Sequence, residues 1–141
     1  MCYDFVMVIT EELKSKIGEL AKKYKLSLVV LFGSQATGYT HAKSDVDIGY
    51  ISERYFDYAE SYAINLELYK IFKTYDVELV NINNVSPAHK KQISDTGIIL
   101  FEENPMIFDL YKVYAFREYI DTKPLRNYKN VYISNFLNEN A

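Results

Sequence analysis

Apolar and polar positions along this chain alternate between a helical and a strand period. Thr10 precedes Glu11-Glu12, a hydroxyl cap followed by acids where the helix dipole favours them. Leu13, Ile17, Leu20, Ala21 and Tyr24 then recur at helical spacing. Lys22, Lys23 and Lys25 crowd the end of that helix, the favourable end for cations. The run Leu28 to Phe32 predicts a strand from about Ser27, with almost no linker before it. A second strand is predicted from Asp45 to about Ser52. Phe56, Ala59, Tyr62, Ala63, Leu66, Tyr69 and Phe72 then trace a long amphipathic helix. The alternation from Asp76 to Ile82 reads as a third strand.

Ser86-Pro87 suits a cap and first helical position and opens a short helix to about Ser94. Gly97 ends it, and Ile98 to Phe101 predicts a short fourth strand. Asn104-Pro105 is expected to open a helix with a broad apolar face from Ile107 to Tyr119. A turn at Asp121 to Pro124 and a last helix from about Leu125 to Leu137 follow. This order predicts an α/β fold: a mixed sheet of about four strands flanked by helices, with two additional C-terminal helices. The expected organisation is one domain over residues 1–141, with a core at about 10–103 and the C-terminal helices at about 105–138.

Composition narrows the function. The 141 residues are 49% hydrophobic and 25% charged, ordinary for a soluble globular chain. A net charge of −3 and a pI near 5.4 lack the basic footprint of a dedicated nucleic-acid binder, so direct nucleic-acid binding is not expected. The single cysteine, Cys2, implies neither a disulfide framework nor, with only His41 and His89 for company, a zinc site. No apolar run reaches membrane-spanning length and residues 1–9 do not read as a signal peptide, so a cytoplasmic protein is expected. The 14 Tyr and 8 Phe suit contact surfaces, since a tyrosine ring packs while its hydroxyl stays wet.

The chemistry concentrates between Gly33 and Gly49. A strand delivers the chain into Gly33-Ser34, where glycine permits a tight turn and close approach to a phosphate and serine offers a hydroxyl. A short helix starting at Ser34 would aim its free N–H groups at the same anion. Asp45 and Asp47, one residue apart on a strand, point to one face, while Val46 and Ile48 point into the core. Magnesium takes hard oxygen ligands beside substrate phosphates, so a third carboxylate is expected, and Asp76 and Glu78 both qualify by their period-2 spacing.

Gly33-Ser34, ten intervening residues and Asp45-x-Asp47 resemble the signature of the DNA polymerase β-like nucleotidyltransferase superfamily. Within it the chain is similar to the minimal nucleotidyltransferases, short domains that act as antitoxins to HEPN-domain ribonuclease toxins. The likeness extends through Val77-Glu78-Leu79-Val80 and on to the Gly97 to Phe101 strand, about two thirds of the chain. The resemblance implies Gly33 and Ser34 as phosphate holders, and Asp45, Asp47 and Glu78 as catalytic carboxylates binding two Mg2+ ions. Glu78 would also be the general base. It implies transfer of AMP from ATP to a tyrosine of a partner HEPN toxin, in a hetero-oligomer. Two positions depart from the pattern: the third acid is commonly aspartate, and Thr37 stands where relatives often carry a basic residue.

Other readings compete. The same fold without catalysis would be a binding antitoxin that occludes the toxin. A small-molecule nucleotidyltransferase would need an acceptor-binding domain, for which the chain after Phe101 leaves little room. Elsewhere the plain readings are preferred: His41 and His89 as solvated polar residues, Cys2 as an inert thiol, and Arg117 and Arg126 on a solvated helix face rather than on a phosphate or partner. Tyr111, Tyr114, Tyr119, Tyr128 and Tyr132 are expected to divide between core and partner surface.

Overall fold

The structure, a computed structural model, describes residues 9–33 and 46–140. The elements run α1 (Glu11–Tyr24), β1 (Leu26–Phe32), β2 (Val46–Ser52), α2 (Tyr58–Phe72), β3 (Val77–Asn81), α3 (Pro87–Thr96), β4 (Ile98–Glu102), α4 (Ile107–Asp121) and α5 (Lys123–Glu139). The strands form one mixed sheet in the order β3-β2-β1-β4. β1 is antiparallel to β2 and β4, and β2 is parallel to β3. The predicted α/β fold with a four-stranded mixed sheet and two trailing helices is what the chain adopts. None of the described helices is long and apolar enough to cross a membrane.

Each sheet face carries its own core. On one side Val29 and Leu31 of β1 and Val46 and Ile48 of β2 pack with Ile17, Leu20 and Ala21 of α1 and Ile64 and Leu68 of α2. On the other, Leu28, Val30 and Phe32 pack with Ile82, Ile93 of α3, and Phe108, Tyr111 and Ala115 of α4. β1 is thus buried on both faces, which is why it reads as an unbroken apolar run.

Local signals at two helix starts act as expected. Thr10 Oγ1 accepts the Leu13 N–H at 3.1 Å. Ser86 Oγ accepts the His89 N–H at 3.2 Å, with Pro87 in the first turn. Lys25 takes a left-handed conformation (φ 58°) that closes α1 and turns the chain straight into β1.

Three expectations need correction. α2 is capped by Asp57 and starts at Tyr58, so Phe56 precedes it. Its buried residues are Ile64 and Leu68, whereas Tyr62 is 65% exposed and Leu66 lies partly in solvent. Apolar and aromatic side chains occur all round this helix, so spacing alone does not select the stripe that meets the sheet. Asn104-Pro105 does not open α4: both precede it, and the Phe108 N–H is satisfied by Glu102 Oε2 at 2.9 Å. The expected turn at Asp121 to Pro124 shrinks to Thr122, which alone separates α4 from α5.

Candidate active site

The expected site lies where β1 ends and β2 and β3 begin. Phe32 at the end of β1 pairs with Asp47, and Asp47 pairs across the parallel ladder with Glu78. Directly paired residues of neighbouring strands share a face, and adjacent strands lie about 4.8 Å apart. Val46 and Ile48 are buried toward α1 and α2, so Asp47 and Glu78 face the side that carries α3 and α4. Asp47 is half-buried and Glu78 exposed.

Gly33 completes this corner. Its φ of 77° lies in the left-handed region, where a side chain is strained. A Cβ there would collide with Asp47 Oδ2 and sit 3.2 Å from Asp47 Cγ. Glycine therefore both turns the chain out of β1 and leaves room for the Asp47 carboxylate against the backbone. Gly49 works similarly one step along the same face: a Cβ there would run into Ile82 and approach Val30 Cγ2 to 3.1 Å. The glycine that closes the Gly33 to Gly49 stretch thus keeps β2 close beneath Ile82.

The two rival acids of the third strand are placed differently. Glu78 is inside β3, in register with Asp47. Asp76 precedes the strand; its N–H donates to Thr74 Oγ1 at 3.1 Å and its carbonyl accepts the Val46 N–H at 2.7 Å, so its backbone helps start the β2–β3 ladder. Ser34 and Asp45, the helix expected at Ser34, and Thr37, His41 and Cys2 lie outside the described residues. Among the described residues no three His, Cys, Asp or Glu come together as a metal cluster.

Two residues depart from their expected surroundings. His89 is half-buried, its ring 5.6 Å from that of Phe32 in an edge-on arrangement, rather than a solvated polar residue. It thereby covers the aromatic residue immediately before Gly33, a role that no spacing signal announces. Arg126 is half-buried rather than on a solvated face. Its guanidinium lies 3.8 Å from the Tyr119 ring centroid and donates to the Tyr119 carbonyl at 2.7 Å and Thr122 Oγ1 at 2.6 Å. Arg117 keeps the expected solvated position, 3.9 Å from Asp121.

Of the five tyrosines expected to divide between core and partner surface, one is in the core. Tyr111 is buried, and its hydroxyl donates to the Ile82 carbonyl at 2.8 Å. Burial pushes that hydroxyl's pKa well up, with the nearby Glu118 adding to the effect. Tyr119 is half-buried, while Tyr114, Tyr128 and Tyr132 are exposed.

Comparison with known proteins matches this geometry to a family. The family described as "Polymerase beta, Nucleotidyltransferase" matches residues 15–106. A protein adenylyltransferase, MntA of Aphanizomenon flos-aquae, is 29% identical over 143 residues, covering 95% of each chain. Among solved structures, a chain of a toxin–antitoxin complex with AMP-PNP superposes with a TM-score of 0.69 at 25% identity, over 88% of this chain and 98% of that one. A chain of the tri-AMPylated Shewanella oneidensis HEPN toxin in complex with its MNT antitoxin superposes with a TM-score of 0.66 at 21% identity, over 92% and 99%. The family match takes in β1 to β4 and the whole corner around Gly33, Asp47 and Glu78, and the chain belongs to the polymerase beta nucleotidyltransferase family.

Proposed function

We propose that this chain is an antitoxin that transfers AMP from ATP to a tyrosine hydroxyl of a partner HEPN ribonuclease toxin and so neutralises it. In this reading Gly33 and Ser34 hold the phosphates, and Asp45, Asp47 and Glu78 form a carboxylate set for Mg2+. The described part of the site fits such an ion: Asp47 and Glu78 present hard oxygen donors side by side, and Gly33 leaves the space beside Asp47 that a side chain would fill. Magnesium, when bound, offsets charge on the phosphates and aligns an in-line displacement.

The residues of the chain do the remainder. The tyrosine oxygen forms a bond to the α-phosphorus as the bond to the bridging oxygen of pyrophosphate breaks. Glu78, exposed at the site's edge, accepts the hydroxyl proton. Both substrates are those of the cytoplasm, where the proposal places the protein. The observation that carries the reading is the register of Asp47 with Glu78 beside a glycine with no room for a side chain. The likeness to a protein adenylyltransferase over 95% of both chains supports the choice of a protein acceptor.

Asp47→Ala tests it in cells expressing the HEPN toxin. The wild-type chain is expected to protect them and the variant, at equal abundance, to fail. Full protection by the variant would mean that binding alone neutralises the toxin.

A further inference from the structure

Helix α5 carries an apolar stripe but holds the position of a surface helix. None of its residues is buried. Leu125, Tyr128, Tyr132 and Phe136 fall at helical spacing along it and are between 55% and 72% exposed. Most helical stability in proteins comes from packing an apolar face rather than from the helix alone. α5 has no side-chain N-cap and is fixed at its base by Arg126, which ties its first turn to the last turn of α4. The arm is therefore held in direction while its apolar stripe stays uncovered. Stripes of this kind mark interaction sites.

Taking the partner from the function proposed above, we infer that α5 is the docking surface for the HEPN protein, received in an apolar groove with an acidic rim. Three observations select this occupant. The family match ends at residue 106, so α4 and α5 lie beyond the matched nucleotidyltransferase core. The chain from the AMPylated-toxin complex nevertheless superposes on 92% of the 141 residues, leaving fewer unmatched than the 17 of α5, so the fold is shared into this arm.

Charge agrees with an acidic rim: α5 carries Lys123, Arg126 and Lys129 against Glu139 alone, in a chain of net charge −3. Area agrees as well. Tyr128, Tyr132 and Phe136 are 72%, 62% and 55% exposed, so covering each would bury more than half of the roughly 150–250 Å2 an aromatic side chain offers. With Leu125 they make an apolar stripe that supplies about half of the roughly 800 Å2 per partner of a standard interface.

The test compares the full-length chain with Tyr128→Glu/Tyr132→Glu and with the charge reversal Lys123→Glu/Lys129→Glu. Each is titrated with the purified HEPN protein by calorimetry, with circular dichroism and a thermal melt as folding controls. The apolar variant is expected to keep its fold, since neither side chain is buried, and to raise Kd roughly 30-fold or more. The charge reversal is expected to weaken binding less and to change its salt dependence. Unchanged affinity in the folded apolar variant would overturn the inference. So would a wild-type chain that does not bind the HEPN protein. A third overturning result is a wild-type chain that dimerises alone through α5, with the variant losing the dimer but not the partner. A complex that forms normally while the HEPN protein gains no AMP would count against the proposed reaction and leave this surface standing.

Discussion

Helices α4 and α5 are joined by one residue and both carry several aromatic and aliphatic side chains, yet only α4 has a core. α4 buries Phe108, Tyr111 and Ala115 against the sheet; α5 buries nothing. α4 is held from several directions, by Glu102 at its start, by the Tyr111 hydroxyl on the Ile82 carbonyl, and by Glu118 paired with Lys90 at 2.9 Å. α5 is held at one end by Arg126. An aromatic side chain on a helix therefore does not by itself mark a structural element; what lies opposite it does.

The largest effect should come from removing equivalent aromatics on the two helices. Phe108→Ala is expected to cost about 3–5 kcal/mol of folding stability, because Phe108 is fully buried. Phe136→Ala should change the stability of the free chain by less than about 0.5 kcal/mol, since no core depends on it. Urea unfolding of both variants checks this, and comparable losses would break the contrast.

Next in size is Tyr111→Phe, which leaves the Ile82 carbonyl without its buried donor and is expected to cost about 1–3 kcal/mol. The same variant has a pH signature. The Tyr111 hydroxyl has a pKa raised above its ordinary value of 10.0. Its contribution is therefore fully present below the unfolded-state pKa and lost as pH rises toward the folded-state one. Wild-type stability should fall more steeply above about pH 10 than that of Tyr111→Phe, measured by unfolding at stepped alkaline pH.

Arg126→Ala should cost only about 1 kcal/mol globally but loosen the hinge. Hydrogen exchange is expected to accelerate across α5 and remain unchanged in α4. A uniform change in both helices would mean that Arg126 does not separate them.

The smallest effect lies on the opposite sheet face, between α1 and α2. Burial acts to raise the Glu67 pKa, but hydrogen bonds from Tyr24 and Lys23 outweigh it and hold the carboxyl below its ordinary value. Its contribution is present above the unfolded-state pKa, near 4.5, and fades as pH falls through the folded-state one. Glu67→Gln should flatten the acid limb of the stability profile slightly, since the Lys23–Glu67 pair is partly exposed and screened by solvent.

Much of the molecule is legible in the sequence. Strands β1 to β4 follow from apolar runs and alternation, and α1 and α3 from Thr10 and Ser86-Pro87, because these signals are local. The pairing of Asp47 with Glu78 was open, since a one-residue slip exchanges strand faces and only the assembled ladder sets the register. The face of α2 was misread because its apolar residues encircle it, and the sheet rather than the spacing chooses Ile64 and Leu68. His89 and Arg126 were read as solvated because their partners, Phe32 and the end of α4, are brought to them by the fold. Ser34 and Asp45 belong to the part of the motif outside the described residues, and their roles remain as proposed above.

The most direct test of the proposed reaction is the intact mass of the purified HEPN protein after incubation with the full-length chain, ATP and magnesium. The wild-type chain should add the mass of AMP, located on a tyrosine by fragmentation, and Asp47→Ala should add none while still forming the complex. A HEPN protein that binds the wild-type chain and keeps its original mass would contradict the proposed reaction.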